Sequence, residues 1–361
     1  MSRANRRPRS VSGSVLRACS CTRIAAAVGA ALASLTPAGC AESGAVLTVY
    51  SPHGREQLVL FEERFEALHA GVDLQWVDMG SQEVLDRIRS ERANPQADVW
   101  FGGPEVFFSR GAEEGLLEPY RPPWADSVMP EARGPDDLYY GVYRTPAVIA
   151  YNSEVLSRHE APQDWDDILD PRWKGKVLIR DPIASGTMRM IFGMIMYRGF
   201  QETGDSLAGY EWLRRLDGQT KEYVLNPTLL YQKLARREGL VTLWNLPDVL
   251  RVQAQGFPLD YVLPKSGTPV LIDAVAIVNG AKQPELGRAF VDYVGSVEGQ
   301  LVAAREAYRN ITRMDIPEDS LPDWLSEVRE RLHPMELDWE LLQRRGRDWM
   351  KYWDRHIRNS G

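Results

Sequence analysis

The stretch Asp181-Pro182-Ile183-Ala184-Ser185-Gly186-Thr187-Met188-Arg189 carries the residue types needed to hold an anion. It reads as a strand end, a tight turn and a helix that opens on Ser, Gly and Thr. The first N–H groups of a helix lack intrahelical acceptors and sit at the positive end of its dipole, so a phosphate or carboxylate is stabilised there. Gly186 admits close approach, and the hydroxyls of Ser185 and Thr187 add donors. The same hydroxyls could equally do no more than cap the helix.

Other polar residues fall where strands end. His53 lies in Ser51-Pro52-His53-Gly54, Gln82 in Gly80-Ser81-Gln82, and Asn245 directly after Leu240-Val241-Thr242-Leu243-Trp244. His53 and Gln82 read either as ligand donors or as turn and helix-start residues, and Asn245 as a ligand contact or a turn former. Asp273 would pair an ammonium group, with Trp100 or Trp244 as a cation–π face, or serve as a hinge aspartate bonded to backbone.

Catalytic chemistry finds little support. The histidines at 53, 69, 159, 333 and 356 show no metal-ligand spacing, and Ser185 lacks the Gly-x-Ser-x-Gly elbow of a hydrolase. No cofactor motif is visible. Non-enzymatic binding is the expected activity, with a secreted hydrolase as the remote alternative.

The elements that must position these residues alternate. Val46–Tyr50 reads as a strand, Arg55–Ala70 as a helix, Val72–Val77 as a strand, and Val84–Ile88 as part of a helix. Asp98–Phe101 then forms a third strand that ends at Gly102-Gly103-Pro104. Such βαβα order predicts a parallel sheet covered by helices, with ligands beyond the carboxyl ends of the strands. Gly141–Asn152, interrupted by Pro146, reads as a strand that leaves one sheet for another, and Gly267–Val278 as the crossing back. Between them lies a second α/β unit, in which Met188, Met190, Met194 and Met196 mark a buried helix face. Arg144 fits an interlobe salt bridge or a contact to an acidic ligand. Helices follow near Pro284–Tyr308 and in a Trp-rich tail, Leu321–Ile357.

Residues 1–39 carry six arginines and no acid ahead of the apolar run Ile24–Leu35, the pattern of a secretory signal peptide. Leu35-Thr36-Pro37-Ala38-Gly39-Cys40 resembles a bacterial lipobox, with Cys40 as the lipidated first mature residue. Cys19 and Cys21 leave with the leader, so no disulfide framework is expected. Loss of the leader moves the formal charge from −7 to −13. So acidic a body excludes nucleic acid as a partner and leaves membrane contact to the lipid tether.

Leu47–Ser51, Ala97–Trp100, Val148–Asn152, Asp181-Pro182 with Ser185-Gly186-Thr187, and Gly267–Val270 with Asp273–Val278 together resemble the solute-binding proteins of bacterial ABC importers. Their order is similar to the branch that includes ferric-ion-, thiamine-, 2-aminoethylphosphonate-binding and phosphoglycerate-sensing proteins, over residues 46–310. The resemblance implies an α/β, two-lobe type 2 periplasmic-binding-protein fold with two interdomain crossings and a helical C-terminal tail. Lobe 1 is expected to comprise 45–145 plus 275–361, with the C-terminal helices, and lobe 2 to comprise 146–274. It further implies a cleft that closes on a small solute held by Ser185, Gly186, Thr187, Asn245 and Gln82, with His53 and Asp273 nearby. A monomer working with ABC permease subunits is expected, exported to the periplasm or cell surface. A sensor subunit reporting to a membrane kinase is the alternative of another class. Ferric-binding members place a Tyr-Tyr pair after the second-lobe strand, where this chain has Pro247-Asp248. Iron, which favours anionic oxygen ligands, is therefore ranked below a phosphonate, a phosphate ester or another organic anion or zwitterion, and no metal site is assigned.

Overall fold

The structure, a computed structural model, describes residues 44–360; the leader, the lipobox and Cys40 lie outside the described residues. Alternating apolar residues form β1 (Ala45–Ser51), and α1 (Arg55–Leu68) then buries Leu58, Phe61 and Phe65 against the sheet. The repeat continues through β2 (Val72–Asp78), α2 (Ser81–Glu91), β3 (Val99–Pro104), α3 (Glu105–Glu113) and the short β4 (Leu117–Glu118). β1 pairs in parallel with β2 and β3, as the alternation predicts.

β5 (Tyr140–Asn152) spans two sheets. Its first half joins the first lobe, and from Ala147 onward it pairs with strands of the second. Pro146, which lacks an N–H, stands at the changeover. The second lobe is built from β6 (Val177–Arg180), α4 (Gly186–Thr203), α5 (Leu207–Gln219), β7 (Thr220–Val224), α6 (Pro227–Ala235), β8 (Val241–Asn245), α7 (Leu246–Ala254) and β9 (Leu259–Val262). The chain returns at Thr268-Pro269, where the Thr268 hydroxyl donates to the Ala147 carbonyl and the Ala147 N–H donates to that of Pro269. β10 (Val270–Val278) then lies antiparallel between β3 and β5, so the first sheet is mixed rather than purely parallel. After it come α8 (Pro284–Gly295), α9 (Val297–Glu306), β11 (Asn310–Ile311), α10 (Asp323–Arg331) and α11 (Trp339–His356). The strand order is β2-β1-β3-β10-β5-β8-β6-β7, with β4 on β10 and both β9 and β11 on β5.

The tail packs on the second lobe. Trp349, Met350, Trp353 and Ile357 join the apolar core of the second lobe, not the first, and α10 contributes Val328 to the same core. The reason lies in α4. Met188, Met190, Met194 and Met196 are buried together with Ile191, Phe192 and Ile195, so α4 is apolar on most of its circumference and must be covered on its outer side too. α11 supplies that cover: the Trp353 ring meets Phe192 edge-on at 5.2 Å between centroids, and Arg358 forms a 2.7 Å ion pair with Asp181. The tail thus anchors the turn that opens α4.

Candidate functional site: the cleft between the lobes

Every helix that follows a parallel strand starts at that strand's carboxyl end, so α1, α2 and α3 of one lobe and α4 and α7 of the other present their N-termini towards the cleft. Their capping differs. Ser185 Oγ accepts from the Met188 N–H at 3.3 Å, and Asn245 Oδ1 accepts from the Asp248 N–H at 2.9 Å. Gly54, Gly80 and Pro104, which precede α1, α2 and α3, provide no side-chain cap. The first amides on the first-lobe side are therefore the ones without a side-chain acceptor.

The lobes meet at α2 and α4. A β-carbon built on Gly186 would lie 3.6 Å from Pro104 Cγ and 3.8 Å from Ser81 Oγ. Gln82 and Gly186 line one cavity of about 490 Å³, into which Thr187 does not reach. The Gln82 amide donates to Asp86 one turn further along α2. Asp181 Oδ1 accepts from the Ile183 N–H at 2.8 Å, fixing the turn before Ser185.

His53 and Asp273 gather round a residue that the sequence reading missed, Arg309. Its Nε donates to Gln57 Oε1 at 2.8 Å, its Nη2 lies 3.2 Å from His53 Nδ1, and its Nη1 is 3.7 Å from Asp273 Oδ2. Thr145 Oγ1 donates to the same carboxylate oxygen at 2.7 Å. Burial, followed by the Arg309 charge, pushes the His53 imidazole well below its ordinary value, so the ring is neutral. With Nδ1 accepting from a guanidinium, the ring proton belongs on Nε2, a buried atom without a partner. Nε2 points at the Gly102 backbone: a β-carbon there would sit 2.2 Å away, and Gly102 has φ +93°. His53 is thus packed beneath Gly102 and beside Arg309.

Asp273 occupies a bulge, since the register of β10 shifts beside it against both β3 and β5. Bulges re-aim side chains, and this one directs a buried carboxylate at Arg309 and Thr145. Burial raises its pKa, opposed by Arg309 and the Thr145 hydroxyl. Arg309 itself follows Tyr308, a non-glycine residue at φ +54°, so an uncommon left-handed turn brings the guanidinium inward. Nothing in the local sequence marks that turn.

On the second lobe, Asp248 collects donors. Tyr231 OH, Trp244 Nε1 and Asn245 Nδ2 lie 2.9, 3.1 and 3.1 Å from its Oδ2, and Arg251 Nη2 is 3.4 Å from Oδ1. Burial pushes this carboxyl up, but Arg251, Arg309 and the bonds from Asn245 and Tyr231 outweigh it and hold the pKa below the ordinary aspartate value. Asn245 is committed to capping α7 and to Asp248. Trp244 is engaged with Tyr231 and Asp248, and Trp100 donates to the Gly102 carbonyl in a stack with Phe108. Gln57, Asp248, Arg251 and Arg309 together line a second cavity of about 380 Å³ that spans both lobes.

Arg251 also reaches across the cleft. Its Nη1 lies 2.7 Å from Glu56 at the start of α1, and Gln255 Nε2 donates to the other oxygen at 3.0 Å. Arg144, by contrast, sits half-buried and forms no ion pair within 4 Å among the described residues; burial pulls its pKa down, opposed by the Glu131 charge. The Glu56 contacts are partly exposed, and such pairs contribute about 0–1 kcal/mol. Glu56→Ala should therefore weaken solute affinity by at most about fivefold, by favouring the open form, while leaving the unfolding midpoint unchanged. Calorimetric titration beside urea unfolding checks this; a shifted midpoint with unaltered affinity would contradict a closure role.

Residues 94–327 match the family model described as bacterial extracellular solute-binding protein. A probable ABC transporter periplasmic-binding protein of Sinorhizobium fredii is 30% identical over 256 residues, covering 70% of each chain. A putative 2-aminoethylphosphonate-binding periplasmic protein of Salmonella typhimurium is 27% identical over 296 residues, covering 75% of this chain and 80% of that one. Among solved structures, the periplasmic binding protein AfuA of Actinobacillus pleuropneumoniae, with exogenous fructose-6-phosphate bound, superposes with a TM-score of 0.73 at 27% identity, covering 87% of this chain and 98% of that one. With the two-lobe α/β fold and the helix starts that face its cleft, these likenesses show that the chain belongs to the bacterial extracellular solute-binding proteins of ABC importers.

Proposed function

We propose that this protein captures a small phosphonate, phosphate ester or comparable zwitterionic solute between its lobes and presents it to a membrane permease. The observation that carries the reading is the opposition of two helix N-termini, α2 at Ser81 and α4 at Gly186, on facing sides of the cleft. Converging amides and dipoles stabilise an anion without a metal or a formal counter-charge. The 2-aminoethylphosphonate named for one relative and the fructose-6-phosphate bound to another both carry such a head group. Of the two carboxylates near the cleft, Asp273 is buried and held by Thr145 and Arg309, whereas Asp248 is partly exposed but held by Tyr231, Trp244, Asn245 and Arg251, so an ammonium at either would have to share it with these donors. Capture then requires only different affinities in the open and closed forms, so lobe closure is the working step. Export and a lipid anchor at Cys40 complete the proposal, which places the protein at the outer face of a membrane. Among the described residues, no helix is long and apolar enough to cross one.

The cap geometry separates two hydroxyls that the sequence could not distinguish. Thr187→Ala should weaken binding of the anionic solute about tenfold, the effect of one charge-assisted hydrogen bond, with no change in the unfolding midpoint. Ser185→Ala should instead cost ~1 kcal/mol of stability through loss of the α4 cap. Thermal-shift screening of phosphonates and phosphate esters, with ferric ion as the contrasting ligand, tests the reading directly. A shift with ferric ion alone would overturn it.

A further inference from the structure

We propose that the cavity of about 490 Å³ beside the cleft is a second site, built for an amphiphilic organic anion and roofed by the C-terminal helix. This goes beyond the cargo reading: the cavity adjoins the cargo site at Gln82 and Gly186 but is argued from other residues. The cavity lies between α2 and α3 of the first lobe and α4 and α11 of the second; Gln82 and Gly186 form its cleft-side edge, and none of His53, Asn245 and Asp273 lines it. Its volume falls within the range of roughly 300–1,000 Å³ that encloses small organic ligands.

Its charge is one-sided in a chain of net charge −7. Arg89 is tied to Asp86 and Glu114, but among the described residues Arg110, Arg347 and Lys351 form no ion pair, and Arg189 hydrogen-bonds the Ile183 carbonyl. Burial lowers the Arg189 pKa and the nearby Arg347 charge lowers it further, against a weaker opposing pull from Asp181 and Asp86, so the two guanidinium groups repel each other across the space. Like charges held at the rim of a partly desolvated cavity are relieved when an anion enters. The remaining wall is apolar: Phe107, Met190, Leu271 and Met350 are buried beneath it, and Leu342 lies beside Trp339, a large aromatic residue that is 40% exposed. An anionic head with an aliphatic or aromatic body matches both surfaces, whereas a compact hydrophilic phosphonate would leave the apolar wall uncovered.

The test uses the full chain and two probes, anilinonaphthalene sulfonate followed by fluorescence and decanoate as competitor. One saturable site is expected, displaced by decanoate and not by 2-aminoethylphosphonate. Arg110→Glu combined with Arg347→Glu should weaken probe binding by at least about tenfold, because two attractive contacts become repulsive. The exposed single change Lys351→Glu should weaken it severalfold at an unchanged melting temperature, which covers the possibility that the double variant folds poorly. Non-saturable binding, equal affinity in the charge-reversed proteins, or displacement by 2-aminoethylphosphonate alone would overturn the proposal.

Discussion

Trp353→Ala should lower the free energy of unfolding by ~3–5 kcal/mol, the range for emptying a large aromatic site in a packed core. The indole is fully buried, edge-on to Phe192 at 5.2 Å and to Tyr223 at 5.3 Å, with the Arg358 guanidinium 5.7 Å from the ring. Among the described residues its indole N–H has no acceptor, so the loss is one of packing rather than hydrogen bonding. Domains commonly have only 5–15 kcal/mol of stability, and the variant should therefore unfold at a clearly lower urea midpoint. A second consequence follows from Arg358, which pairs with Asp181 at the foot of the anion turn. Loosening α11 should weaken solute binding as well, although no residue of α11 is proposed to touch the solute in the cleft. A loss below about 1 kcal/mol would mean that the tail is a peripheral appendage and not a wall of the core.

Arg309→Ala is expected to cost a similar ~3–5 kcal/mol, for an electrostatic reason: it strands the buried Asp273 carboxylate with Thr145 as its remaining side-chain donor. The pH dependence should identify the cause. Asp273 already titrates above its ordinary value in the folded protein, so the folded state retains this proton longer than the unfolded chain, and stability falls as pH rises through that interval. Removing Arg309 extends the interval upward, which makes the variant's deficit largest at neutral pH and smaller in acid. His53, whose pKa the same guanidinium lowers, contributes in the same direction. In combination with Asp273→Asn the loss should be much smaller than the sum of the two single changes, as a double-mutant cycle by urea unfolding would show. Additive losses and a flat pH profile would contradict the pairing.

The cleft was only partly legible. Strand ends marked by Gly, Pro and Ser revealed where the site had to lie, because a βα unit places its turn at the carboxyl end of the sheet whatever the side chains are. Ser185 and Asn245 could be read as caps or as ligand contacts, and the geometry assigns each a cap bond. His53 has the residue type of a ligand donor, yet the tight turn at Gly102 closes over its ring. Arg309 gave no signal at all, since it follows an uncommon Tyr308 backbone conformation and meets its partners from 252, 256 and 36 positions away in the chain.

The sequence by itself determined the alternation of strands and helices, the crossing at Pro146, the buried methionine face of α4 and the family to which the chain belongs. All of these rest on periodicity or on local turn chemistry, which act between residues a few positions apart. Tertiary structure alone decided that the Trp-rich tail covers α4, that Asp273 faces Arg309, and that unpaired arginines from three helices surround one cavity. An amphipathic pattern says that a face must be buried but not against what, and a charge in the sequence carries no record of which distant charge will share its low-dielectric surroundings.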